Sequence, residues 1–371
     1  MPHPSRVAIV AASLDILGGQ GVQARSLVDA LNGDGYRARL LPINPQFPRG
    51  LRRLRGLPYV RTIVNQAMYL PALARLRSVD VAHVFSASYA SFLLAPVPAM
   101  LAARLFGKRV VLHYHSGEAD DHLTNWGALV HPWLRLAHRI VVPSEYLREV
   151  FRRHGYDALV IPNVVDLSAF SYRDRTPLRP RLLCTRNFES YYRVDVVLDA
   201  FAKLLAIEPS ASLTLAGYGS EEARLREMAA RLTPGSVQFV GKVKPADMPA
   251  LLTAHDIFVN ASVVDNQPVS ILEAFASGLP VVSTPAGDIP SMIEHGVNGM
   301  LVPENDAAAM AQAVGALLSN PPHALALARA ARDGMTQFTW PAVRDAWAAV
   351  YDGTDRPSPQ TIPSWQSQHI H

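Results

Sequence analysis

The sequence predicts an α/β protein made of two doubly wound domains that face each other across a cleft. Three observations carry this expectation. Short apolar, β-branched runs alternate with longer Ala/Leu/Arg-rich runs of helical period, the pattern of βαβ units around a parallel sheet. The alternation occurs twice, once on each side of the polar, two-proline stretch Ser171–Pro180. The chain has 371 residues, 49% hydrophobic and 18% charged, which is enough for two separate cores.

In chain order, the first series places strands at Val7–Ala11, Arg39–Leu41, Val81–Val84, Val110–His113, Ile140–Val142 and Val160–Ile161. Each is a short apolar run of strand length, and helical runs such as Val22–Leu31, Ala67–Arg75 and Tyr89–Phe106 separate them. Residues 1–170 thus form one domain, and 171–180 reads as a linker. The second domain, 181–337, repeats the alternation. Its strands are expected at Leu182–Thr185, Ser212–Ala216, Val237–Val240, Ile257–Asn260, Val281–Ser283 and Met300–Val302. Its helices are expected at Val194–Ala206, Glu221–Leu232, Met248–His255, Ile271–Ser277 and Ala307–Leu318. Pro, Ser and Gln dominate 353–371, which reads as a disordered tail.

Net charge is +4, and the basic side chains are nearly all Arg; the lysines are Lys108, Lys203, Lys242 and Lys244. That balance suits a phosphate-bearing ligand or an anionic surface and is too mild to argue for nucleic acid. A single cysteine, Cys184, excludes an internal disulfide and a Cys-based zinc site. The run Val7–Ala12 is of strand length and lacks the pattern of a secretory leader. Ser91–Phe106 is interrupted by Pro96 and Pro98 and falls short of the ~20 residues that span a bilayer. The expectation is a cytoplasmic protein.

Several motifs fall where such folds bind ligands, at the carboxyl ends of strands. Gly18 and Gly19 follow the first strand and open a helix, letting backbone N–H groups approach an anion. An ordinary strand-to-helix turn accounts for them equally well, and the spacing is not a dinucleotide GxGxxG. His115 ends the run Val110–His115, where an imidazole can meet a sugar hydroxyl or serve as a core residue; His113 shares its face by strand period. Glu118, Asp120 and Asp121 lack flanking ligands and read as solvated surface rather than a metal site. Arg186 follows a strand and can hold a pyrophosphate bidentately. Gly217-Tyr218-Gly219 is either a ligand-facing turn or a tight connection. Asp265 and Glu273 stand eight positions apart, although Ser270-Ile271-Leu272-Glu273 also reads as a capping box. Arg49–Arg61 interleaves five arginines with Leu, Tyr and Val: an anionic-lipid contact or a solvated face.

The stretch Asn260–Val302 resembles the donor segment of the retaining glycosyltransferases of family 4, with an acidic residue, seven intervening residues and Glu273. Val142-Pro143-Ser144 resembles the family segment whose serine caps the next helix, and Ile161-Pro162-Asn163-Val164-Val165-Asp166 its inter-domain segment, with Val164 in place of glycine. The resemblance runs from Gly18 to the Phe338–Tyr351 segment and implies a GT-B fold, with a helix over 338–352 packing back on the first domain. It implies Arg186 on the donor phosphates; Tyr192 stands at the family's lysine and Arg193 at the glycine after it, from where Arg193 is expected to supply the phosphate-facing charge. It further implies Glu273 on the ribose, and Asp265 with Asn266, Gln267, Pro268, Val269 and Ser270 on the transferred sugar. His115 stands opposite; Gly18, Gly19, Gly217 and Val243 line the donor path.

The implied activity is hexosyl transfer from a UDP- or GDP-sugar to an acceptor hydroxyl with retention, without a metal or resident cofactor, in cell-surface glycan or glycolipid synthesis. The implied partners are the nucleotide-sugar, a sugar or lipid-linked sugar acceptor, and a membrane surface touched through 49–61. A nucleotide-sugar epimerase of the same fold and a catalytically weak sugar-binding or scaffold protein are the alternatives. Release of free UDP or GDP from a panel of nucleotide-sugars separates them.

Overall fold

The computed structural model describes residues 6–13, 19–48, 50, 57–86 and 88–355. Gly18, most of the 49–61 stretch and the tail from 356 lie outside them. Two six-stranded parallel sheets organise the chain. The first contains β1 (Arg6–Ala11), β2 (Arg37–Pro42), β3 (Val81–Ser86), β4 (Arg109–Tyr114), β5 (Arg139–Val142) and β6 (Ala158–Val160). Their order is β2-β1-β3-β4-β5-β6. The second contains β7 (Arg181–Thr185), β8 (Ser212–Ala216), β9 (Val237–Gly241), β10 (Ile257–Asn260), β11 (Val281–Ser283) and β12 (Met300–Leu301). Their order is β12-β11-β10-β7-β8-β9.

Burial follows from position in the sheet. The central strand β3 is buried at every residue, because helices cover both faces. The edge strand β2 alternates exposed and half-buried residues along most of its length. Strand order reverses between β1 and β3 and between β7 and β10, and open α/β sheets bind ligands at such switch points. β7 leads into Arg186, and β10 leads toward Asp265.

The expected strands appear with bounds shifted by a residue or two. Some helices differ. The run Tyr89–Phe106 forms two helices, Ala90–Leu94 and Pro96–Leu105, because Pro96 cannot continue the first. The run expected at Ala67–Arg75 is the end of a longer helix, Pro58–Ala72, followed by a 3₁₀ segment, Leu73–Ser78.

The C-terminal helix Trp340–Asp352 leaves the second domain and buries Val343, Trp347, Val350 and Tyr351 against Ile9, Val81, Phe85 and Val111 of the first sheet. The expectation of a disordered tail from Gly353 is corrected at its start. Asp355 is anchored to Arg109 at 3.0 Å and Arg139 at 2.7 Å, so the chain stays bound to the first domain to that point. The stretch 171–180 is a connection held firmly to the second domain. Arg175 is buried, and its guanidinium donates to the carbonyls of Leu252 (3.1 Å), His255 (3.3 Å) and Ser277. These lie at the ends of Met248–Ala254 and Val269–Ser277, where helix carbonyls lack partners of their own.

Candidate active site

The cleft between the sheets holds two chambers that share a wall. One encloses about 170 Å³ and is bounded by Asn187, Gly217, Tyr218, Lys242, Val243, Met248, Ser270 and Glu273. The other encloses about 260 Å³ and is bounded by His115, Gly117, Glu118, Asn163, Tyr191, Asp265, Asn266 and Gln267. Gly19, Arg186, Tyr192 and Val269 border both. A molecule that fills both chambers therefore passes these four residues.

That junction is electropositive by construction. Gly19 begins the helix Gly19–Gly33, and Val269 begins Val269–Ser277. A Cβ on Gly19 would lie 3.7 Å from the Val269 side chain, so the two helix N-termini adjoin. Their first-turn N–H groups have no intrahelical acceptor and carry the positive end of the helix dipole. Arg186 adds a guanidinium between them. Its Nε donates to Asn260 Oδ1 at 2.9 Å, and its Nη2 forms a buried ion pair with Asp265. The Tyr192 ring lies 4.9 Å from the guanidinium carbon, a cation–π contact. Burial pushes the Asp265 carboxyl up, while Arg186 opposes that shift.

Glu273 is the acid of the first chamber. It has no hydrogen-bond partner among the described residues, and burial pushes its carboxyl up to about 8. The capping box, the alternative reading of Ser270-to-Glu273, does not form. Pro268 is the N-cap, Ser270 is the second helical residue, and its hydroxyl is buried without a partner. Ser144 does cap the helix Glu145–Arg153, accepting from the Leu147 N–H at 3.2 Å. On the β8 side, Gly217 is required by close approach, because a Cβ there would overlap the Arg186 carbonyl. Lys242 holds its ammonium 3.7 Å from the centre of the Tyr218 ring.

In the second chamber, His115 stacks on Phe85 at 4.9 Å, and its Nε2 is buried without a partner. Burial lowers its pKa to about 3, so the ring is neutral. The loop carrying Asp265 to Pro268 is fastened to the opposite domain. Asn266 Nδ2 donates to the His115 carbonyl at 3.5 Å, and the Ser144 hydroxyl donates to Asn266 Oδ1. Gln267 accepts from the Asn163 N–H at 2.6 Å and donates to the Pro143 carbonyl at 3.0 Å. Gly287 has φ +56, and a Cβ there would overlap the Asp265 carbonyl, so only glycine fits that turn.

The Glycosyltransferase Family 4 description matches residues 17–169, and the Glycosyl transferases group 1 description matches residues 179–320. The chain belongs to the group 1, family 4 glycosyltransferases. This glycosyltransferase is 26% identical over 361 residues to a phosphatidyl-myo-inositol mannosyltransferase of Mycobacterium leprae, covering 92% of this chain and 94% of the relative. It is 26% identical over 314 residues to an N-acetyl-alpha-D-glucosaminyl L-malate synthase of Bacillus anthracis, covering 77% of each chain. Among solved structures, Anabaena HepE in complex with UDP-glucose matches with a TM-score of 0.75 at 19% identity, covering 94% of this chain and 100% of that one. Sucrose-phosphate synthase from Thermosynechococcus elongatus matches with a TM-score of 0.72 at 18% identity, covering 94% and 99%. The fold is GT-B, and the glycosyltransferase takes a nucleotide-sugar donor.

Of the residues singled out from sequence, Gly19, His115, Arg186, Gly217, Val243, Asp265, Asn266, Gln267, Pro268, Val269, Ser270 and Glu273 of this glycosyltransferase all border one chamber or both. Gly18 lies outside the described residues. Arg193 is the correction. It follows the 3₁₀ turn Ser190–Tyr192 with φ 48 and ψ 43, which turns its side chain into a neighbouring groove. There it pairs with Asp195 at 3.1 Å and bonds Asn305. Tyr192 occupies the junction instead. Asn163, Ser144 and Gln23 escaped the sequence reading of the site. Gln23 exchanges two 2.9 Å hydrogen bonds with the Val164 backbone, and Val164 shows no left-handed φ. The Gln23 bonds tie the helix Gly19–Gly33 to the connecting segment within the first domain, whereas the contacts of Asn163 and Ser144 depend on how the domains meet, which no local motif encodes.

Proposed function

We propose that the enzyme transfers a hexosyl unit from a UDP- or GDP-sugar to an acceptor hydroxyl with retention at the anomeric carbon. The observation that carries this reading is the two-chamber cleft joined at Arg186 and two helix N-termini. The nucleoside occupies the Glu273 chamber, with both ribose hydroxyls donating to the carboxylate. The sugar lies in the Asp265/His115 chamber. The diphosphate spans the junction, where Arg186 and the N–H groups of Val269 and Ser270 stabilise the charge that develops as the bond to the anomeric carbon breaks. The acceptor hydroxyl attacks from the face that the diphosphate leaves, and a departing phosphate oxygen takes its proton. His115 Nε2 is free to bond a sugar hydroxyl. This chemistry runs without a metal ion or resident cofactor.

The acceptor we propose is a sugar or lipid-linked sugar in cell-surface glycan or glycolipid synthesis, in line with a relative that is a phosphatidyl-myo-inositol mannosyltransferase. The helix Pro58–Ala72 presents exposed Tyr59, Ile63 and Leu70 on one face, and Leu57 precedes it. We propose that this apolar face makes peripheral contact with a membrane on its cytoplasmic side, the arginines of 49–61 in the adjoining sequence favouring anionic lipid. Among the described residues, no helix is long and apolar enough to cross a membrane.

The test is incubation with a panel of UDP- and GDP-sugars and candidate acceptors, read by mass spectrometry for free nucleotide and by NMR for the anomeric configuration of the product. Equal release of nucleotide and glycosylated acceptor with retained configuration is expected. An inverted product overturns the mechanism. A changed sugar still attached to its nucleotide identifies an epimerase, and binding without nucleotide release identifies a sugar-binding protein.

A further inference from the structure

Behind His115 lies a row of polar side chains that the transfer reaction above does not use. The hydroxyl of Tyr351, on the C-terminal helix, lies 2.9 Å from His83 Nδ1. His83 Nε2 lies 3.1 Å from His113 Nδ1. The His113 ring centre is 4.0 Å from that of His115, which borders the sugar chamber. His83 is 0% and His113 4% exposed, and Trp347 and Phe85 pack around both rings.

Packing alone does not call for this row. The surrounding core is aliphatic and aromatic, and apolar side chains would fill the same space without burying ring nitrogens. Three imidazoles instead leave two nitrogens buried without partners, His113 Nε2 and His115 Nε2. Both orphans fall at the cleft end of the row, while the end under the C-terminal helix is satisfied. Burial also keeps the rings of His83 and His115 neutral, lowering each to about 3. A neutral imidazole donates from one nitrogen and accepts at the other, so a bond to one nitrogen fixes the role of the second. The Tyr351 hydroxyl, which can donate or accept, is thereby coupled to the tautomer of His83, and the tautomer of His83 to that of His113. The same bonds stop either ring from flipping. His115, held between Phe85 and a locked His113, has its orientation fixed in turn.

We propose that Tyr351, His83 and His113 are positioning residues for sugar transfer, forming a hydrogen-bonded row through which the C-terminal helix holds His115 in its productive orientation. The inference rests on the reading of His115 as a wall of the sugar chamber. It assigns the last helix a part in turnover beyond closing the first domain.

The test compares Tyr351→Phe, His113→Asn, His113→Leu and His115→Ala, with ¹⁵N spectra of the imidazoles alongside kinetics. Tyr351→Phe keeps the ring packing and removes one bond. It should lower kcat about tenfold while the nucleotide-sugar KM stays within about twofold, the pattern of an interaction felt in the transition state. The ¹⁵N signals of His83 and His113 should shift toward mixed tautomers. His113→Asn, whose amide reaches the Nδ1 position, should retain more activity than His113→Leu. Wild-type kcat and unchanged ¹⁵N signals in Tyr351→Phe, with His115→Ala inactive, overturn the row alone. Wild-type kcat in His115→Ala overturns the reading on which it rests. A lower melting temperature with unchanged kcat in Tyr351→Phe also overturns it, leaving a packing role.

Discussion

Nucleotide-sugar binding should release a proton from Glu273. The free carboxyl, pushed up to about 8 by burial and bonded to nothing in the described residues, is mostly protonated at neutral pH. Two ribose hydroxyls donating to it favour the ionised form, so its pKa falls in the complex. At pH 7 the free group is about nine-tenths protonated, and binding releases about 0.9 proton. Between pH 8 and pH 6 the affinity should weaken about 50-fold, approaching tenfold per unit at the acid end. Isothermal calorimetry at pH 7 in two buffers of different ionisation enthalpy measures the proton count directly. The probe is the intact nucleotide-sugar, whose diphosphate has no titrating oxygen in this range. Glu273→Gln should bind more weakly at pH 8 and show neither proton release nor pH dependence. Stability carries the matching signature. The folded state holds this proton above the unfolded pKa of 4.5, so destabilisation accumulates from there and levels off above about 8. Glu273→Gln should therefore melt higher than the parent at pH 8 and alike at pH 4. No proton exchange on binding, with the same pH profile in Glu273→Gln, would refute the reasoning.

Other outcomes follow from the junction and the surface. Arg186→Ala should lower kcat by ~10²–10³, the usual loss of one preorganised donor at developing charge. Arg193→Ala should stay close to the parent in single-turnover rate, because its guanidinium faces Asp195 and Asn305; a loss equal to that of Arg186→Ala would return it to the phosphate site. EDTA should leave turnover intact, and complete loss restored by Mg²⁺ or Mn²⁺ counts against a metal-free reaction. Co-sedimentation with anionic liposomes should fall with salt and fall further in Tyr59→Ser/Ile63→Ser; binding unchanged in that variant would place the contact elsewhere.

The sheet was readable because parallel strands covered on both faces are continuous apolar runs, and β3 and β10 are buried at every residue. The acids and Arg186 were readable because each follows a strand or opens a helix at fixed spacing. Local geometry hid what failed. One positive φ at Arg193 sends a long side chain out of the cleft, and the shorter, flat Tyr192 stays in it. Pro268 sets the helix start, which moves Ser270 past the position where a hydroxyl caps. Asp355 looked like part of a polar tail, but Arg109 and Arg139 of the first domain lie beside it once the last helix crosses back. The contacts of Asn163 with Gln267 and of Ser144 with Asn266 exist only after two domains have docked.

The Arg186–Asp265 pair makes one side chain answer to two ligands. In the free protein the guanidinium is neutralised by a carboxylate, and both side chains are about nine-tenths buried, each 10% exposed. A diphosphate arriving at the junction offers the guanidinium a stronger, bidentate partner. Taking it leaves Asp265 buried and charged, held by the Asn266 N–H at 3.0 Å and the Ser262 hydroxyl alone among the described residues. An uncompensated buried carboxylate is costly, and hydroxyls of the attached sugar are the donors within the same chamber. On the proposed reading, the nucleotide thus creates the vacancy that the sugar fills. The same Asn266 reaches the His115 carbonyl and Ser144 of the opposite domain, so filling that vacancy also fastens the cleft. On the same reading, sugar orientation and domain contact meet in the loop Asp265–Pro268, while Arg186, cationic throughout, exchanges Asp265 for the diphosphate beside Tyr192.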